Sequence, residues 1–126
     1  MKDDIINVYV IRDDKLYYEV VGEGIYEYSL KDGAENLAVS TKDACYNIYK
    51  TADKYITMSL EGLRVYDENG NEIYHIGQDE CSDLKYVSDS RLITDVINED
   101  GRMEYTFVNN VQDDPDQWDS NTFVFE

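Results

Sequence analysis

A chain of 126 residues with a formal net charge of −17 has room for one hydrophobic core but not two, and its 28 acidic residues against 11 basic ones oppose direct binding to nucleic acid or to an anionic membrane. Hydrophobic content of 42% and an aromatic share of 13% exclude a disordered acidic tail and point to a single folded domain, 1–126. Twelve tyrosines against three phenylalanines suit half-buried strands, where the ring packs and the hydroxyl stays wet.

Taken in chain order, residues 7–12 (Asn-Val-Tyr-Val-Ile-Arg) predict a first strand, Asp13-Asp14 a turn, and residues 15–21 a second strand ending at Gly22-Glu23-Gly24. Residues 25–30 then turn at Lys31-Asp32-Gly33 into residues 35–40, which makes four strands. After Thr41-Lys42-Asp43-Ala44 the cycle restarts: residues 45–51, a turn at Ala52-Asp53, residues 54–60, and a hairpin from Leu63 to Ile76 around Asn69-Gly70. An Asn-Gly pair tolerates the positive φ of a tight primed turn. A third cycle runs through residues 81–87, 91–97 and 103–108, with Glu99-Asp100-Gly101 repeating the acidic-glycine junction. The acidic stretch 111–120 reads as a loop, and residues 121–126 as a last strand that completes the third unit, another unit, or a neighbouring chain.

The recurrence has a measurable period. Gly24 to Gly62 spans 38 residues, Gly62 to Gly101 spans 39 and Gly33 to Gly70 spans 37; Lys15, Lys54 and Arg91 open the second strand of each unit at spacings of 39 and 37. Near-constant periods of four strands belong to radial β-repeat folds. The expected fold is therefore all-β: three four-stranded antiparallel repeats at about 6–40, 45–77 and 81–126, half of a β-propeller, which a second chain could complete. The alternative is an antiparallel β-barrel or sandwich. No stretch has sustained helical periodicity.

Gly24-Ile25-Tyr26-Glu27-Tyr28-Ser29-Leu30-Lys31-Asp32-Gly33 and Gly62-Leu63-Arg64-Val65-Tyr66-Asp67-Glu68-Asn69-Gly70 resemble the Gly-Ile-Tyr-x-x-x-Leu-Asp-Gly hairpin of bacterial β-propeller repeats related to the low-density-lipoprotein-receptor YWTD type. The resemblance covers most of residues 6–110 and implies the propeller fold; the Tyr-Trp-Thr-Asp tetrapeptide is absent, so it carries no functional residue onto this chain. Three blades do not close a ring, and the first and last would expose apolar surface. Two chains repeating one contact across a two-fold axis would give six blades, so a homodimer is expected; the alternatives are a piece of a longer propeller or a three-unit sheet curled around its own core.

Site chemistry is sparse. Cys45 and Cys81, 36 residues apart, are expected to be buried small hydrophobes rather than a disulfide, consistent with a reducing cytoplasm. His75 is the single histidine and lies in a hairpin, which argues for a surface residue. Asp67-x-Asn69-x-Asn71 opens like a calcium loop, but Glu72 and Gln78 stand where glycine and a bidentate glutamate belong, so it reads as a turn. Residues 1–4 lead straight into a strand-like run without an export signal, and no run of 18 apolar residues occurs. Asp113, Asp114, Asp116 and Asp119 surround Trp118, and an aromatic ring with a polar surround fits a partner-binding anchor.

The function expected from these features is a non-catalytic acidic protein-binding module, without cofactor or metal, acting through its surface on a basic or neutral protein and self-associating. One alternative is a small acidic inhibitor, an immunity protein or a phage-type antagonist that mimics nucleic-acid charge and captures its target by electrostatic steering. Another is a glycosidase or lyase working at a propeller opening with inward carboxylates.

Overall fold

The computed structural model describes residues 6–125. Residues 1–5 and Glu126 lie outside the described residues, and with them the reading of the start of the chain and the last position of the third repeat. Twelve strands follow one another: β1 (Ile6–Arg12), β2 (Lys15–Val20), β3 (Gly24–Ser29), β4 (Glu35–Ser40), β5 (Cys45–Lys50), β6 (Lys54–Ser59), β7 (Gly62–Asp67), β8 (Glu72–Ile76), β9 (Asp83–Val87), β10 (Leu92–Ile97), β11 (Met103–Asn109) and β12 (Asp119–Phe125). They form three separate antiparallel sheets, β1–β4, β5–β8 and β9–β12, each a meander of consecutive strands. The sheets stack as three blades of a β-propeller, and no ladder joins them among the described residues, which rules out the barrel alternative. β12 pairs with β11 from Met103 opposite Phe125 to Asn109 opposite Asp119, so the last strand completes the chain's own third blade.

The turns follow from their residues. Asp13 and Asp14, with φ of 51° and 61°, make the two-residue primed turn between β1 and β2, a conformation aspartate tolerates. At Asn69-Gly70 only Gly70 has positive φ (84°). Here the Asp67 carboxylate accepts the backbone N–H of Asn69 and of Asn71, each at 2.9 Å, and the Gly70 N–H donates to the Asp67 carbonyl at 3.0 Å. The side-chain acceptor favours a longer turn over the primed one expected. Asn98-Glu99-Asp100-Gly101-Arg102 builds the same turn, with Asn98 Oδ1 accepting from Asp100 N and Arg102 N at 3.0 Å each.

This similarity corrects one step of the repeat. Gly24 and Gly62 open β3 and β7 opposite Val20 and Ser59, at φ of 139° and 106°, and a Cβ there would lie 1.9 Å from the Val39 carbonyl oxygen or 2.0 Å from that of Ile76. Gly101 has open space around it; in register, Glu104, opposite Val96, takes the place of the two glycines. The β10–β11 turn carries an insertion, and counting from glycine to glycine conceals it.

Two cores occupy the two seams between blades. Tyr17, Ile25 and Val39 of the first blade pack on Cys45, Ile48, Tyr55 and Tyr66 of the second, and Ile56, Met58, Leu63 and Val65 of the second pack on Cys81, Leu84, Leu92 and Val108 of the third. Each fully buried side chain of this size contributes about 1.5–3 kcal/mol. Both cysteines are buried and neither is in a disulfide, as expected. Every blade thus shows one face forward along the chain and one face back.

Candidate interaction surfaces

The segment between β11 and β12 is laid over the second seam. Val111 is buried and donates its N–H to the Ser90 carbonyl at 3.0 Å. Asp114 caps a single 3-10 turn, Pro115–Gln117, by accepting the Asp116 N–H at 3.0 Å. Trp118 turns its ring inward, 4.5 Å from the Tyr74 ring centroid, and donates its Nε1–H to the Gln112 carbonyl at 2.8 Å. Asp113 reaches Lys54, whose ammonium is buried and lies 2.8 Å from Asp113 and 3.0 Å from Asp53. Burial pulls the Lys54 pKa down, but the two carboxylates outweigh it and the net displacement is upward. Of the five residues singled out by sequence, Asp113, Asp114 and Trp118 make side-chain contacts within the chain, while Asp116 and Asp119 stay exposed. Sequence reasoning missed Lys54 as their partner, although its place at the head of each second strand marked it.

A second cluster ties the blades together where their first strands end. Arg12 Nη1 lies 3.1 Å from an Asp89 oxygen, and the other use of that carboxylate is to accept the Ala52 N–H at 3.0 Å. One side chain of the third blade therefore holds the first blade and the turn of the second. The Lys50 ammonium sits over the Tyr55 ring (4.9 Å) and the Tyr17 ring (5.6 Å), its pKa lowered by burial and by the Arg12 charge. These charges satisfy one another. His75 is exposed, its Nε2 2.7 Å from the Glu61 carbonyl oxygen, and among the described residues no group of three His, Cys, Asp or Glu side chains is placed to hold a metal ion.

The two ends of the stack expose apolar side chains. Strand pairing puts Tyr9 (opposite Tyr18), Ile48 (opposite Thr57) and Leu84 (opposite Thr94) at the same place on the backward face of successive blades. Ile48 and Leu84 are 6% and 5% exposed, whereas Tyr9 is 67% exposed. On the forward faces, Val39 lies beside Ile25 and Phe123 beside Tyr105 in the corresponding register. Val39 is 1% exposed and Phe123 51%. Phe107, Ile93, Met103 and Tyr105 continue this forward face of the third blade and line an open apolar depression of about 480 Å³. Asp95, opposite Tyr105 in the ladder, is buried, with Lys85 Nζ at 3.5 Å.

No family model matches the chain, and no curated protein matches it. Solved structures do. The chain is similar to the crystal structure of the N-terminal domain of Nup159, a β-propeller, with a TM-score of 0.62 at 10% identity, covering 95% of this chain and 30% of that one. It is also similar to the crystal structure of the computationally designed Ika4 protein, with a TM-score of 0.58 at 7% identity, covering 100% of this chain and 94% of that one. The chain thus spans less than a third of the Nup159 domain, and at these identities the likeness is one of fold. Among the described residues no helix is long and apolar enough to cross a membrane.

Proposed function

We propose that this chain is a non-catalytic protein-binding module that acts through its surface, and that its two end faces bind a second copy of itself. The observation that carries the reading is the exposure of Tyr9 and Phe123 at positions whose counterparts inside the stack are buried. Exposed aromatic faces of this kind mark sites of association. Each copy carries a net charge of −17, so association must overcome mutual repulsion, and screening by salt should strengthen it.

A second reading, an acidic inhibitor that captures a basic protein, is favoured by that same charge. Sedimentation at low and high salt separates the two. Self-association that tightens with salt supports the first reading. A chain that stays monomeric at both, and binds a cationic test protein less tightly as salt rises, supports the second.

A further inference from the structure

We infer that two copies join head to tail, the forward face of the third blade of one against the backward face of the first blade of the other, so that the missing seam is rebuilt between chains; this rests on the self-association proposed above. Three observations converge on that occupant. The internal seams are formed by one recurring pair of faces, forward against backward, never by two faces of the same kind. In the first seam the key contact is Tyr17 with Tyr55, ring centroids 5.7 Å apart; in the second, Ile56 and Leu92 hold the corresponding places. The unpaired members of that series are Ile93 at the forward end and Leu16 at the backward end.

The second observation is that the rest of each end matches too. Tyr105 and Phe107 stand where Leu63 and Val65 stand in the second blade, and Tyr9 and Tyr28 stand where Ile48 and Tyr66 do. A surface that presents forward residues at one end and backward residues at the other is complementary to its own copy. The third is that β12 closes the third sheet, so no strand within the described residues is left to cover either end. Made twice across a two-fold axis, the contact closes a six-bladed ring; if the rotation does not close, the same contact propagates an open filament.

The test uses the full chain and two single variants, Tyr9→Asp on the backward end and Phe107→Asp on the forward end, both at exposed side chains. Circular dichroism checks that each remains folded, with Phe123→Asp replacing Phe107→Asp should the latter fail. Each variant alone should self-associate at least about tenfold more weakly than the native chain, and an equimolar mixture should regain dimer, because one contact in the mixed pair pairs two native faces. If the native chain dimerises, one variant is silent and the other abolishes dimer, the faces pair like with like and the head-to-tail arrangement is overturned while self-association stands. A native chain that is monomeric throughout overturns both. As an independent readout, Leu16→Cys mixed with Ile93→Cys should form an interchain disulfide that neither forms alone; a cross-link in either single sample contradicts the register.

Discussion

Tyr9 and Ile48 occupy one and the same position in successive blades, opposite Tyr18 and Thr57, each the fourth residue of its blade's second strand, yet one side chain lies in water and the other in the core. The difference is what stands behind them. Ile48 has the first blade's forward face against it; among the described residues Tyr9 has no blade of its own chain there.

Truncating the two residues should therefore have unequal costs. Ile48→Ala removes a seam contact and should destabilise the isolated chain by about 2–5 kcal/mol, as for other buried isoleucines. Tyr9→Ala at low protein concentration should stay within about 0.5 kcal/mol, as for exposed sites. Urea titrations of both variants measure the contrast, and equal costs would mean that the first blade's back is covered within the chain.

Gly62→Ala should be damaging in a way that Gly101→Ala is not. The added methyl would meet backbone, the Ile76 carbonyl oxygen 2.0 Å away, and backbone does not yield as a side chain does. At Gly101 the methyl meets open space and only the positive φ of 78° opposes it, at about 1–2 kcal/mol. Thermal melts should show Gly62→Ala as the larger loss by a clear margin.

Much of this architecture was legible beforehand, and the reasons are specific. The Lys15, Lys54 and Arg91 series located the second strands because a basic side chain begins each of them, or stands just before, after a short turn. Gly101 misled because a glycine in an Asx-type turn looks like a glycine forced by a neighbouring carbonyl. The inward turn of Trp118 was not legible at all: its position beside four aspartates reads as exposed, and only the fold brings Tyr74 beneath it and Gln112 within reach. Likewise no local signal tells that Asp113 will meet a lysine 59 residues away.

That lysine makes stability fall at alkaline pH. The Lys54 pKa is raised in the folded state, so its contribution is fully present below its unfolded value of about 10.4 and is lost as pH rises through the folded value. Buried Tyr17, Tyr55 and Tyr66, each held neutral by burial, act in the same direction. Denaturation followed from pH 8 to 11 should show a decline setting in near pH 10, shallower in Lys54→Met; Asp113→Asn should cost about 1 kcal/mol at neutral pH, discounted because Asp113 is itself exposed.

Both thiols should be inert in the folded chain. Burial pushes the Cys81 pKa up to about 11, and that of Cys45 rises further through burial and then the neighbouring Glu19. Since the thiolate is the reactive form, a thiol reagent at pH 8 should label neither until denaturant is added. Rapid labelling of the native chain would show that the seams open.

The most direct test of the unpaired seam is hydroxyl-radical footprinting of the native chain across a dilution series, read at Tyr9, Phe107 and Phe123, with buried Ile48 and Leu84 as internal references. The account predicts that the three end residues are protected at high concentration and become reactive together on dilution, while the references stay protected throughout. Reactivity of Tyr9 and Phe107 that is high and unchanged at every concentration would contradict it.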